Sequence, residues 1–267
     1  ADSSLRRARR PSLAVSSVAT SLHLWRGYLP APLQRGPFGP RTQRGAAGGA
    51  MGAVYSALLA ALGFAQPPLV TDFLFVGDSL TFYNGGVWEE VARLAPEGAL
   101  GHIETVVEGY APLAKLLPMA RATLQQLGPK EEGRRRVCVL QEDLPETTVA
   151  SFESAARDLA ALCEQYGWEL VLLSCWGYGA EGKPRPGLTP MSDGQVMKAH
   201  RRMATLLQRE GHTCKIAPAG AAKARCELLL RNASLPAVPL LAKDNEHPSI
   251  ALTHMMARCV VGAVYGR

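Results

Sequence analysis

Cys-x-x-Cys spacings are missing from this sequence, and so is any Cys/His arrangement that would suit a metal. Its six cysteines (Cys138, Cys163, Cys175, Cys214, Cys226 and Cys259) are scattered, several of them inside apolar runs. That pattern reads as buried reduced thiols rather than a zinc site or a disulfide scaffold, although an even count leaves one or two bridges open in a secreted form. His102, His200, His212 and His254 are equally dispersed, so no metal and no cofactor is expected. There is no internal repeat. There is also no apolar run of the roughly 20 residues that a membrane-spanning helix needs. The uncharged stretch from Met51 to Ala65 is too short and too rich in Ala and Gly, which argues against a membrane-embedded protein.

Acidic residues are nearly absent from one region. Residues 1–66 contain eight Arg, no Lys and a single Asp. Taking these from the 29 basic and 23 acidic residues of the whole chain leaves 21 and 22, so the net charge of +6 belongs to the N-terminal segment. The remainder carries no excess of positive charge with which to bind nucleic acid. Arg-, Ser-, Gly- and Pro-rich with few acids, residues 1–66 read as a disordered extension resembling an organelle transit segment, with secretion the other reading.

From residue 67 to residue 267 the texture is that of a folded domain. Short β-rich runs at Asp72–Val76, Ile103–Val107, Arg136–Leu140, Glu169–Ser174 and Thr213–Pro218 alternate with helical patterns. These lie near Gly86–Ala95, Pro112–Leu127, Thr148–Tyr166, Ser192–Arg209, Ala221–Leu230 and Ser249–Val264. Strands alternating with helices of this length predict a mainly parallel five-stranded sheet in a three-layer α/β/α, flavodoxin-like sandwich. In such sheets the chemistry sits at the carboxyl ends of the strands.

The first strand ends in Gly77-Asp78-Ser79-Leu80, just before a helix. A serine at a strand-to-helix turn exposes its hydroxyl at the edge of the sheet, near helix amides able to stabilise an oxyanion. Taken alone the tripeptide is an ordinary turn. Far downstream stands Asp244-Asn245-Glu246-His247-Pro248-Ser249. An Asp and a His three apart in a turn can face the same way, so that Asp244 steers the imidazole of His247 toward a hydroxyl that is otherwise a poor nucleophile. By themselves, His247 reads as a solvated loop histidine and Asp244 as a helix cap.

Together these two blocks resemble the first and last signature blocks of the SGNH (GDSL-type) hydrolases, and the likeness runs from about Asp72 to Tyr265. Leu140-Gln141-Glu142 after the third strand is similar to a subgroup that carries this triplet in place of the family's Gly-x-Asn. The resemblance implies a serine esterase with Ser79 as nucleophile, His247 as base and Asp244 behind it. It also implies an oxyanion hole made by the amides of Ser79 and Gly109 and by a side-chain amide, for which Gln141 is preferred over Asp143 because a carboxylate would oppose the developing charge. The implied substrate is a small-molecule or carbohydrate ester of short acyl length. A non-catalytic glycan- or protein-binding module and an O-acyltransferase are the alternatives.

Gly177-Tyr178-Gly179-Ala180-Glu181-Gly182-Lys183 imitates a phosphate-binding loop, but Pro184 follows where a hydroxyl would be needed to hold magnesium. It reads better as a long surface loop, with Trp176 at its head a candidate pocket wall. Asn232-Ala233-Ser234 is a glycosylation sequon with meaning only in a secreted form.

Overall fold

A computed structural model of the chain describes residues 69–178, 190–234, 236 and 238–266. The basic extension at 1–66 and most of the glycine-rich loop after Trp176 lie outside the described residues. Five strands form one sheet: β1 (Val70–Gly77), β2 (Leu100–Val107), β3 (Arg134–Leu140), β4 (Glu169–Leu173) and β5 (Cys214–Ala217). Their order across the sheet is β2-β1-β3-β4-β5, and every pairing is parallel.

Seven α-helices among the described residues cover the sheet: α1 (Ser79–Phe82), α2 (Val87–Leu94), α3 (Leu113–Leu127), α4 (Val149–Gln165), α5 (Asp193–Arg209), α6 (Ala219–Asn232) and α7 (Ile250–Tyr265). Alternation along the strands supplies both faces with apolar side chains, as a parallel sheet covered on both sides requires. Leu74 and Val76 of β1, Cys138 and Leu140 of β3, and Leu170 and Leu172 of β4 pack against Leu116 and Leu124 of α3, Leu159 of α4 and Met203 of α5. The intervening Phe73, Phe75, Val137, Val139, Val171 and Leu173 point the other way, toward Val91 of α2 and Leu252, Met256 and Val260 of α7. These faces make the three-layer sandwich expected from the sequence. Among the described residues no helix is long and apolar enough to cross a membrane.

Boundaries moved where hydrogen bonding overrode composition. β1 begins two residues earlier than its apolar run because Val70 and Thr71 pair with Arg134 and Arg135 of β3. β2 begins at Leu100, beyond an irregularity in register opposite Thr71 and Phe73. The three short elements that sequence periodicity missed, α1 and the 3₁₀ turns at Tyr83–Gly85 and Leu144–Glu146, are too short to show a period.

Strand order sets the place of any site. The chain leaves β1 toward β2 on one side and returns to β3 on the other, so the loops after β1 and β3 diverge at the carboxyl edge and leave a crevice there.

Candidate active site

Ser79 occupies the first turn after β1. Asp78 caps α1, its Oδ1 accepting from the Leu80 amide at 2.9 Å. The turn is tight enough that Gly77 admits no side chain: a Cβ there would lie 2.5 Å from Thr81 Oγ1 and 2.7 Å from Gln141 Oε1.

The partner for Ser79 comes from the segment before α7. Leu241 and Pro248 form an antiparallel bridge, reinforced by hydrogen bonds from Ala242 N to His247 O (2.8 Å) and from Ser249 N to Leu240 O (2.9 Å). At the tip of this hairpin Asp244 Oδ1 accepts from the amides of Glu246 and His247, each at 3.0 Å. Its Oδ2 lies 2.9 Å from His247 Nδ1, and His247 Nε2 lies 2.9 Å from Ser79 Oγ. Partial burial raises the Asp244 carboxyl, but the two amides and the imidazole outweigh it and hold its pKa below the usual value.

Three further side chains hold the imidazole in place. Tyr83 stacks on the His247 ring at 4.4 Å between centroids and 18° between planes. Asn84, whose φ of 56° is left-handed, donates through Nδ2 to the Pro248 carbonyl at 2.8 Å and to Thr253 Oγ1 at 3.0 Å. Trp176 Nε1 donates to the Glu246 carbonyl at 3.1 Å. Trp176 is wholly buried in the core, so it braces the histidine loop rather than forming a pocket wall.

On the other side of Ser79, between the ends of β1, β2 and β3, lies a cavity of about 150 Å³. Asp78, Ser79, Tyr110, Pro112, Asp143 and Glu146 are among its walls. Gly109 stands beside it at the tip of β2, with the Phe82 ring 3.7 Å from where a Cβ would be. Among the described residues the amides of Ser79 and Gly109 find no acceptor.

The run after β3 divides three tasks among its side chains. Gln141 turns under the serine loop, where its Oε1 accepts from the Asp78 amide at 2.9 Å and from Thr81 Oγ1 at 2.8 Å. Its Nε2 is buried without a hydrogen bond among the described residues, yet close enough to Asp78 to favour that carboxylate's charged form. Gln141 is thus engaged through its Oε1 in bracing β1, and it is not among the cavity walls. Glu142 reaches α3, accepting from the Leu113 amide at 2.7 Å, where a carboxylate complements the helix N-terminus that Pro112 cannot cap. Asp143 alone of the three faces the cavity, and the buried Tyr178 hydroxyl donates to its Oδ2. Tyr178 carried no signal in the sequence, because the glycines around it look like any loop.

Buried carboxyls with no arginine or lysine beside them among the described residues give this end of the sheet its electrostatic character. Burial pushes Asp78 up to about 7, against the pull of the Leu80 amide, Gln141 and His247. It also raises Glu142 despite the Leu113 amide. No group of His, Cys, Asp and Glu among the described residues is arranged to hold a metal ion.

No family model and no curated protein matches the sequence. Solved structures do match the fold. A proposed SGNH hydrolase from Slackia heliotrinireducens superimposes with a TM-score of 0.54 at 20% identity, covering 73% of this chain and 99% of the other. The protein YxiM of Bacillus subtilis also gives 0.54, at 15% identity over 75% of this chain and 58% of that one. A variant of Axe2, an acetyl-xylooligosaccharide esterase from Geobacillus stearothermophilus, gives 0.51 at 13% identity, covering 75% and 96%. The fold of this chain is that of the SGNH hydrolases.

Proposed function

We propose that the protein is a serine esterase acting on short-chain O-acyl esters, with Ser79 as nucleophile, His247 as general base and Asp244 as its orienting carboxylate. The observation that carries this reading is the continuous relay Asp244–His247–Ser79, with 2.9 Å at each step, the second step joining residues 168 positions apart.

In the first step Ser79 Oγ adds to the ester carbonyl carbon while His247 Nε2 takes its proton. The negative charge that forms on the carbonyl oxygen is met by the amides of Ser79 and Gly109. The bond to the leaving oxygen then breaks, that oxygen takes the proton from His247, and the acyl group stays on Ser79. Water, losing a proton to the same nitrogen, attacks the acyl-enzyme and releases the acid. Asp244 fixes the Nδ1–H tautomer and stabilises the imidazolium in both halves.

Cavity size and charge support the choice of substrate. About 150 Å³ accommodates an acyl group of a few carbons, and walls that include Asp78, Asp143 and Glu146 discourage a negatively charged one. Acetyl esters of carbohydrates meet both conditions, and one structural neighbour is an acetyl-xylooligosaccharide esterase.

The test is hydrolysis of p-nitrophenyl acetate and of a peracetylated oligosaccharide by the purified protein. Turnover by the wild type, and its loss in a Ser79→Ala variant with an unchanged melting temperature, is the expected result. Equal turnover by that variant removes the proposed nucleophile.

A further inference from the structure

Asp143 stands where the crevice needs a hydrogen-bond donor, and it carries a carboxyl. Its Oδ2 accepts from the Tyr178 hydroxyl, whereas Oδ1 is buried and has no partner among the described residues. The side chain shares the cavity with Ser79. We infer that Asp143 works as a neutral carboxylic acid whose Oδ1–H donates to the carbonyl oxygen of the bound ester, completing the oxyanion hole with the amides of Ser79 and Gly109. This inference rests on the esterase reading above.

Its neighbours decide where the proton resides. Asp78 from the end of β1, Glu146 from the 3₁₀ turn and Glu246 from the histidine hairpin all face Asp143 as acids, and the neutral Tyr178 follows β4. The thiol of Cys175 is nearby and is itself pushed well up by burial. Asp78 has better means of carrying charge, namely the Leu80 amide and the approach of Gln141 and His247. Asp143 has, among the described residues, one hydroxyl donor. Two coupled carboxyls in one low-dielectric pocket do not both ionise at neutral pH, so the proton falls to the less supported of the pair. Burial first, and the charge of Asp78 second, raise Asp143 well above the ordinary carboxyl range. With Oδ2 already accepting from Tyr178, the hydrogen is placed on Oδ1. A carboxylic acid there does what a side-chain amide would do, since its O–H strengthens its bond as negative charge develops on the substrate oxygen. The donor remains covalently unchanged throughout.

Because the acid form is the working one, activity falls as pH rises through the Asp143 pKa. The experiment is the pH dependence of kcat/KM for p-nitrophenyl acetate in the wild type, Asp143→Asn and Asp143→Ala. Wild type is expected to show an alkaline limb that Asp143→Asn lacks, so that the Asn variant exceeds wild type at high pH. Asp143→Ala loses about 10²–10³-fold across the whole range, in kcat rather than KM. An alkaline limb unchanged in Asp143→Asn, or equal losses in both variants, overturns the assignment. An infrared difference spectrum between wild type and Asp143→Asn at neutral pH gives a readout free of turnover. A protonated-carboxyl stretch in the wild type that vanishes in the variant is expected, and its absence refutes the inference. A wild type that turns over no ester yet shows that stretch sinks the esterase reading while leaving the protonation state established.

Discussion

Asp72 and Asp78 belong to the two ends of β1, and the protein treats them in opposite ways. At the amino end, Asp72 is 6% exposed but surrounded by donors. Arg134 forms a bidentate ion pair with it, Arg136 Nε lies 3.8 Å away, and the His102 amide donates at 2.8 Å. Burial alone would raise this carboxyl, yet the arginines and the amide outweigh it and hold the pKa below the ordinary value. At the carboxyl end, Asp78, Glu142 and Asp143 are equally buried, no arginine or lysine among the described residues answers them, and all three are raised. One strand thus carries a satisfied charge where the sheet only has to hold together and an unsatisfied set where it borders a cavity. The contrast places a cost in stability at the carboxyl end, since buried acids are expensive unless paired.

Breaking the site should give the largest effects. His247→Ala is expected to reduce ester turnover on the order of 10⁴–10⁶-fold, and Asp244→Ala by less, on the order of 10³–10⁴-fold, with neither changing the melting temperature appreciably. Steady-state rates and circular dichroism on the same preparations check both halves of that statement.

At the amino end the pattern should invert. Asp72→Ala leaves the nearly buried Arg136 unpaired and is expected to cost about 3 kcal/mol of stability while leaving turnover per folded molecule alone. The figure is at the low end for a broken buried pair because the Arg134 side chain is 31% exposed and partly screened. Urea unfolding of the two proteins measures it.

The pH dependence of stability separates the ends further. Because the folded-state pKa of Asp72 is depressed, its contribution is complete above the unfolded value of about 3.9 and is lost as pH falls through the folded value. Asp78 and Asp143 have raised values, so they weaken the fold above the unfolded pKa and the penalty disappears as pH falls. Asp143→Asn should therefore raise the melting temperature at pH 8, by about 2–4 °C for each 1 kcal/mol recovered, and have little effect at pH 4. Thermal melts at the two pH values show whether the sign reverses between Asp72→Asn and Asp143→Asn.

Smallest is the expected effect of Ser249→Ala. The Ser249 hydroxyl caps α7 through the Leu252 amide at 3.3 Å, and its loss should cost about 1 kcal/mol of stability. Asn84→Ala, in contrast, should act on both properties, since the hydrogen bonds to Pro248 and Thr253 tie the serine loop to the histidine hairpin. A drop in stability with no change in kcat would show that the hairpin keeps its own shape.

The same comparison shows what a sequence makes legible. All five strands, six of the helices and the sandwich architecture could be read from periodicity, because the apolar alternation that the sheet needs is written continuously along it. Ser79, Asp244 and His247 were legible because their spacing and their turns carry a chemical requirement, and the structure brings those three side chains together. Gln141 was preferred over Asp143 on charge alone, with no local pattern to say where either side chain points. Both follow the end of β3 at Leu140, and only the fold of that turn decides that Gln141 goes under the serine loop while Asp143 lines the crevice. Trp176 and Tyr178 took their roles from packing against segments far away in the chain, the histidine hairpin and the β3 loop, which leaves no local pattern.

The central claim is that the His247 imidazole activates the Ser79 hydroxyl, and labelling with a fluorophosphonate probe tests it most directly. Mass spectrometry of the digested protein should find one phosphonate adduct, on Ser79, formed quickly in the wild type and not at all in folded His247→Ala. An adduct on another residue, or an unlabelled Ser79 in folded wild-type protein, would contradict the account.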